Sequence, residues 1–583
     1  MTSPAVLISV LGALAVVICH VQCAVQLTEV STVYLPHTLT PTPRYGLGTG
    51  SVEQLAYHHE TRLIYVTGSG VFHVVNATDP TNLVREFSIM TENVDFTDVA
   101  VCGDVVFVTV KNLQVKGRGQ LQVYNLFDPV NREITLIRSI EVGSLPDMLQ
   151  ARSDCNTVVI ALEAERYLDA SGAFHDPEGA VVTVKFPDGP RGSAQPVVTT
   201  LDFRKYNQRF DMLEPSGVRF VYRDNNNSFS NDVEPEFVTL DEKSEKAYVC
   251  LQENNAIAVV DLKSENIEHV YGLGFKHWGH FDASNKDEGI QISYWPIRAW
   301  YLPDAILFYT FQGRRLIFSA NEGDAKQYSD FDEIERGKKL KNVSSTVPKF
   351  VRASLQDDAL LGRLKFSSVD GKDEQGNYQH LYTYGGRSFS VWDADQGMTQ
   401  IYDSGSHIEE STALHCPHLF NMDGNDEQPD SRSDDKGPET ESLALAEVRG
   451  RLYVFVGNER PGTISVYSFG SDLTKPRFET IFCDGIPDDS RTPDQRFADR
   501  DLFAVDPEDI QYLSEEESPA PYPVLLVAGT VSGTVSIVRV NITDEPGDSD
   551  PKPPSNGNTY AVSVWVLAAS LLVTWFKTRE ITA

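Results

Sequence analysis

Acidic side chains recur at one position of a repeated pattern. Glu53 precedes the string QLAY, Asp98 precedes VAVC, Asp147 precedes MLQA and Glu236 precedes FVTL. Asp304 precedes AILF, Glu441 precedes SLAL and Glu508 precedes DIQY. Each acid opens a short β-type run, and several follow Pro or Thr. A second set, Glu163, Glu253, Glu322 and Glu459, lies 16, 17, 18 and 18 residues after Asp147, Glu236, Asp304 and Glu441. In an antiparallel hairpin the end of the second strand lies beside the start of the first, so both sets should share one rim. Like charges about 4 Å apart repel by roughly 4 kcal/mol at an effective dielectric of 20. Such a rim needs cations, raised pKa values or interleaved bases. Arg166, Lys326 and Arg460 lie close to these acids in sequence and, with Arg387, are the candidate bases. Hard oxygen ligands without Cys or clustered His suit Ca²⁺ or Mg²⁺. The plain alternative is that the acids cap strand-start amides and pair with those Arg and Lys.

Other constellations carry less chemistry. The acidic stretch His415 to Ser442 and the string GKDEQGNY (371–378) both lack the D-x-[DN]-x-[DN]-G spacing of an EF-hand loop. His277 and His280 stand three apart with no third His, which falls short of a zinc site. The chain has no G-x-S-x-G elbow, Walker loop, H-E-x-x-H or dinucleotide fingerprint, and so no recognised nucleophile.

The elements that would hold the acids are strands. Short runs of Val, Ile, Tyr, Phe and Thr recur, bounded by Gly, Asn, Asp and Pro, while helical periodicity is scarce. About eight units share a layout, among them RLIYVTGSGVFHVVNATDP, EKAYVCLQENNAIAVVDLKS, RRLIFSANEGDA…LGRLKF, QHLYTYGGRSFSVWDAD and GRLYVFVGNERPGTISVYSF. One such unit cannot bury both faces of its sheet, but packing units around an axis does. The expected fold is all-β, a β-propeller of seven or eight blades over residues 45–542, preceded by a lead-in at 24–44. Polar insertions at about 202–233, 274–302, 323–350, 405–438 and 484–503 lengthen the repeat, and loops of that size are usually functional or disordered. In a propeller the first strand of each blade lines the central channel, so the acids should converge on one mouth.

The ends of the chain speak of location. An apolar run from Ala5 to Val17 reads as a secretory signal cleaved near Cys23–Ala24. A polar, Pro-rich spacer at 543–559 leads to an apolar segment, Tyr560 to Phe576, and a short charged tail at 577–583. Small residues, spacer and apolar tail fit a GPI signal. The Lys577 and Arg579 that follow fit a single-pass helix under the positive-inside rule. Both readings stay open, and both place the body outside the cell on a membrane. Past the signal, Cys102, Cys155, Cys250, Cys416 and Cys483 remain. That is an odd number, which allows at most two disulfides. Asn76, Asn226, Asn342 and Asn541 begin N-x-S/T sequons.

The 583 residues carry 50 basic and 83 acidic side chains and a formal charge of −33. That balance excludes a nucleic-acid binder, which needs a basic surface to displace counterions from phosphates. It favours cations, basic partners or solubility.

The strings ANEGDA (320–325), LGRLKF, RSFSVWDA, SRSDDKGPETESL and VGNERPGTISVYSF resemble the mesenchyme-specific cell-surface glycoproteins of echinoderms and their animal relatives. They also resemble the bacterial domain called choice-of-anchor I. The resemblance covers about residues 45–542. It implies an extracellular, propeller-like body on a membrane anchor, often GPI, and an association with biomineralising cells and calcium carbonate. It brings no catalytic mechanism and no catalytic residues.

The leading expectation is therefore a membrane-anchored acidic glycoprotein that binds calcium, or a mineral, matrix or glycan partner, through a carboxylate-lined propeller mouth. A Ca²⁺- or Mg²⁺-dependent extracellular phosphoesterase, with Arg387 and Arg460 holding phosphate, is the alternative from a different class. An adhesion or scaffold propeller without ion binding is the third.

Overall fold

The computed structural model describes residues 25–543, apart from 170, 224–226, 425–427 and 490. The signal segment, the spacer beyond Thr543, the apolar segment, the charged tail and the sequon at Asn226 lie outside the described residues. Among the described residues, no helix is long and apolar enough to cross a membrane.

Seven antiparallel sheets have four strands each. Blade 1 begins at Leu55–His58, blade 2 at Val94–Cys102, blade 3 at Pro146–Ala151 and blade 4 at Pro235–Asp241. Blade 5 begins at Ile306–Phe311, blade 6 at Thr440–Val448 and blade 7 at Pro507–Leu513. Each first strand packs beside the first strand of the next blade, and that of blade 7 packs beside that of blade 1, so the sheets form a closed ring. Burial between neighbouring sheets makes this arrangement stable. Tyr65, Phe72, Phe96 and Val108 fill the space between blades 1 and 2. Phe107, Val123, Ile160 and Val182 do so between blades 2 and 3. Middle strands have neighbours on both faces, which is why Leu452–Asn458 is buried at every position and reads as an unbroken apolar run.

Two expectations about the repeat change. The units RRLIFSANEGDA and RSFSVWDA are the second and third strands of one blade, Arg314–Asn321 and Ser388–Asp393, paired residue for residue. Eight apparent units are thus seven sheets, because a long insertion (322–387) divides blade 5. The stretch 24–44, set apart as a lead-in, supplies a strand of the propeller: Val25–Tyr34 is the outer strand of blade 7, beside Thr534–Ile542. Leu35 donates its N–H to Gly533 O at 2.8 Å, and the hydroxyls of Thr32 and Ser536 meet at 2.8 Å.

The insertion in blade 5 folds against the connection from blade 4. Phe275–His277, Arg298–Trp300 and Tyr382–Thr383 make a small sheet. With the helix Lys349–Ser354 they enclose a separate core containing Trp278, Phe281, Trp295, Leu355, Leu361 and Phe366. Cys102 pairs with Cys155 and Cys416 with Cys483, while the Cys250 thiol is buried and free. Asn342 is exposed, whereas Asn76 and Asn541 are half-buried.

Candidate cation site at the propeller mouth

The acids reach the mouth through two backbone devices. A β-bulge interrupts the first strand between Pro146 and Leu149, Pro235 and Val238, Thr440 and Leu443, and Pro507 and Asp509. A bulge bends its strand and re-aims a side chain, and each of these spans a repeated acid. In addition, Leu145, Leu302, Glu439 and Asp506 adopt left-handed backbone, with φ of 43°, 45°, 48° and 64°. Each stands two residues before Asp147, Asp304, Glu441 or Glu508. Non-glycine residues in that region cost energy and cluster at functional sites.

The second acid set arrives as the hairpin argument requires. Glu163 N–H donates to Leu145 O at 3.0 Å and Glu459 N–H to Glu439 O at 2.8 Å, so strand ends lie beside strand starts. Glu322 is followed by Gly323, at φ 102°, where a Cβ would sit 2.2 Å from Gly385 Cα. Only glycine lets the returning chain cross so close to the strand that carries Glu322.

The acids of blades 5 and 6 fall into two groups with different partners. The carboxylates of Glu322, Glu439 and Glu459 lie within 4.8 Å of one another. Bases are threaded between them. Lys436 pairs with Glu322 and lies 3.2 Å from Glu439. Arg460 lies 3.0 Å from Glu439 and 2.6 Å from Glu459, and Arg432 lies 2.7 Å from Glu439. Burial alone would raise the Glu439 carboxyl, but Lys436, Arg460 and Arg432 together hold it far below the usual carboxylate range. Three acids and three bases interleave here, and Arg432 extends the network to Asp435 at 3.0 Å.

The other group is Asp304, Glu322 and Glu441, also within 4.8 Å of one another. Here only Lys436 is near, on Glu322, whose second oxygen accepts from Gln252 Nε2 at 2.8 Å. Burial, then the charge of Glu322, pushes Asp304 up to about 8. Glu441 is driven well above its ordinary value by burial, then by Asp304, Glu322 and Glu508. Glu441 hydrogen-bonds Asp304, and its Oε2 is buried without a partner. Two carboxyls this close need a proton or a cation between them. Glu508 is raised by burial, Asp506 and Asp304, although Thr530 Oγ1 donates to it at 3.3 Å. Asp506, buried beside Glu459, rises to about 7.

The other side of the mouth is looser. Burial raises Glu53 to about 7 and Asp147 to about 6. Glu163, Glu236 and Glu253 rise well above their ordinary values, through burial first and neighbouring carboxylates next. Glu236 Oε2 and Glu253 Oε2 are buried without partners. Lys326 is buried here, paired with Glu234, and Tyr328 Oη donates to Glu234 at 2.5 Å.

Several sequence expectations need correction. Asp98 is out of register by one residue: Val99 pairs with Val108 as Leu149 pairs with Ile160, so Thr97 occupies the repeated acid position. Asp98 instead accepts Val99 N–H and Leu149 N–H, both at 2.7 Å, and ties blade 2 to blade 3. Asp509 makes the matching tie from blade 7, accepting Leu55 N–H at 3.1 Å. Arg166 is not a rim base. It pairs with Asp330 at 2.7 Å and Asp176 at 3.5 Å and stacks on Phe174 and Tyr222. Arg387 is buried against Glu409 at 2.7 Å and donates to the carbonyls of Asp282, Ser433 and Asp435. Its four Nη hydrogens are committed to these buried oxygens, so it fastens the surrounding segments together and is not placed at the mouth to hold phosphate. Of the four bases, Arg460 and Lys326 reach the mouth.

Lys436, Glu439, Asp506 and Glu234 escaped the sequence reading. Three of them had a signal: Glu234, Glu439 and Asp506 each precede a repeated acid by two residues, in the strings EPE, ETE and DPE. Lys436 had none, because it comes from a connecting loop of irregular length.

Comparison with known proteins places this geometry in a family. Over 198 residues the chain is 46% identical to Gigasin-3a of Magallana gigas, covering 33% of this chain and 69% of that protein. Over 336 residues it is 32% identical to the mesenchyme-specific cell surface glycoprotein of Strongylocentrotus purpuratus, covering 50% of this chain and 43% of that one. The β-propeller domain of Cps50 (Swd1) from Myceliophteria thermophila superposes over 88% of this chain and 99% of that domain, at 6% identity and TM-score 0.40. That likeness is too loose to add to the seven sheets already described. Residues 53–472 match the model of the choice-of-anchor I domain, a span that holds every rim acid except Asp506 and Glu508. The chain belongs to the choice-of-anchor I family.

Proposed function

We propose that this protein is an acidic cell-surface glycoprotein, tethered to the membrane by its C-terminal apolar segment, that binds Ca²⁺ at its propeller mouth and offers a charged face to mineral or matrix. One observation carries the cation reading: Asp304, Glu322 and Glu441 converge within 4.8 Å, with Glu441 Oε2 buried and unpartnered. Three carboxylates beside one ammonium leave two negative charges, which a single divalent ion would neutralise. All donors are hard oxygens, as Ca²⁺ prefers, and waters can complete its six to eight ligands. Asp304 is half-buried, which leaves a route in. The name of the 32% identical relative supports the location, and the exposed sequon at Asn342 supports glycosylation.

The test is thermal unfolding of the purified protein in EDTA, in millimolar Ca²⁺ and in Mg²⁺. An ion that binds only the folded state adds about 2.7 kcal/mol at a hundredfold excess over Kd. A saturable, Ca²⁺-selective rise supports the site. No shift with either ion removes cation binding from the function and leaves the acids as a protonated structural cluster.

A further inference from the structure

The small sheet inserted beside blade 5 carries a second site of opposite chemistry. His277 and Arg298 are direct cross-strand partners in it. Residues directly opposite on antiparallel strands project to the same face, and placing two cations there is unfavourable. His380 joins them: its pKa is lowered by burial first and then by the nearby Arg298 and His277. The three line a cavity of about 260 Å³ together with Trp278, Tyr294, Thr346 and Gln379 among others. Among the described residues no Asp or Glu lines this cavity, in a chain with 83 acids and a net charge of −33.

The surroundings do not neutralise the site. Arg298 is held flat by stacking on Phe275 and Tyr382, and its Nη1 donates to Tyr382 Oη at 2.6 Å. It makes no ion pair among the described residues. Of the nearby acids, Asp370 is ion-paired to Arg219 at 2.8 Å and bound by Trp300 Nε1 at 2.8 Å. Asp373 is held by the neutral amides of Asn377 and Gln379 and keeps its charge behind Gln379. His277 and His380 are exposed, and so is Tyr294, 56% accessible at the cavity edge. A planar guanidinium fixed by aromatic stacking presents its remaining N–H groups to an oxyanion in a preset fork. Each imidazole adds an N–H donor when the ring nitrogen facing the cavity carries the proton.

We propose that this cavity binds an oxyanion, a sulfate or carboxylate carried on a sugar, with Arg298 as the main contact and His277 and His380 on its flanks. The volume exceeds what a bare sulfate fills, and the exposed Tyr294 ring offers an apolar face for the sugar that carries the charge. The site is independent of the propeller mouth and stands or falls without it.

The test is calorimetric titration of the purified protein, in EDTA at physiological salt, with inorganic sulfate, a sulfated disaccharide and its desulfated counterpart. The sulfated disaccharide should bind at least tenfold more tightly than either control. Arg298→Gln should weaken it more than tenfold. His380→Gln, on an exposed ring with no hydrogen-bond role in the fold, should weaken it severalfold without moving the unfolding temperature. Equal binding of the sulfated and desulfated sugars would overturn the oxyanion assignment. Sulfate binding as tightly as the disaccharide would overturn the sugar. Unchanged binding in His380→Gln and Arg298→Gln would overturn the site.

Discussion

Glu439 and Glu441 stand two residues apart at the start of one strand, yet their carboxyls have opposite fates. Glu439 is clasped by Lys436, Arg460 and Arg432 and is held ionised. Glu441 faces Asp304 with no base between them and is driven toward the protonated acid. Extended backbone sends residues i and i+2 to the same side. The left-handed turn at Glu439 and the bulge after Thr440 break that rule and divide the pair between two environments.

This division predicts opposite outcomes for the same chemical change. Glu439→Gln removes the buried carboxylate shared by three half-buried cations, each of which keeps one other acid, and breaking a buried pair costs about 3–5 kcal/mol. Its unfolding temperature should drop sharply in EDTA and in Ca²⁺ alike. A drop under about 1 kcal/mol by denaturant unfolding would show that the network is not holding the loop 404–439 in place.

Glu441→Gln replaces a carboxyl driven toward its protonated form with an amide of the same shape. In EDTA its stability should stay within about 1 kcal/mol of the parent, as for other neutral exchanges that keep a hydrogen bond. The Ca²⁺-induced rise should vanish. Retention of the full rise would place the ion elsewhere.

Stability should fall as pH rises in EDTA. Asp304 moves from 3.8 to about 8, Asp506 from 3.8 to about 7 and Glu53 from 4.5 to about 7. Between roughly pH 4 and pH 8 the folded state therefore holds more protons than the unfolded chain, so the slope of unfolding free energy against pH is negative. Glu439 works in the other direction: its contribution is present above its ordinary 4.5 and is lost as pH falls below that. Bound Ca²⁺ replaces the protons at Asp304 and Glu441, so it should flatten the neutral part of the slope and tighten with pH. Unfolding curves at pH 5, 6, 7 and 8 with and without Ca²⁺ read both effects. A rising slope in EDTA would contradict the buried-acid assignment.

The sequons should differ in use. Asn342 is exposed, whereas the Asn76 amide nitrogen donates to Glu86 at 3.0 Å and its oxygen accepts from Thr78 N–H at 2.8 Å. Glycopeptide mass spectrometry of secreted protein should find Asn342 occupied more fully than Asn76. The reverse order would mean that attachment precedes folding of blade 1.

Much of this was legible in the sequence because a propeller repeats. Strand runs such as Leu452–Asn458 announced themselves, and acids at a fixed offset marked Asp147, Glu236, Asp304, Glu441 and Glu508 as one rim. Asp98 misled because an acid one residue along fits the same string, and only the strand register separates Asp98 from Thr97. Arg166 is close to Glu163 in sequence, but it and Arg387 both sit on segments that turn away, Arg387 against the helix His407–His415 and two loops. Lys436 was unreadable for the converse reason. Its loop returns to the mouth from 114 residues beyond Glu322, and no local periodicity reports such a return.

The strand Val25–Tyr34 in blade 7 has a consequence for how the protein is made. This strand leaves the ribosome before the rest of the propeller and cannot take its place until residues near 534–542 follow, some 500 residues later. Closing so long a loop costs about 5–6 kcal/mol in chain entropy on the (3/2)RT ln n estimate. During translation blade 7 is missing and blade 1 has one unprotected side, while the early strand carries a bare edge that can pair wrongly. Folding of this protein should thus depend on late completion, and single substitutions in blade 7 should lower the yield of folded protein more than equal substitutions in blade 3.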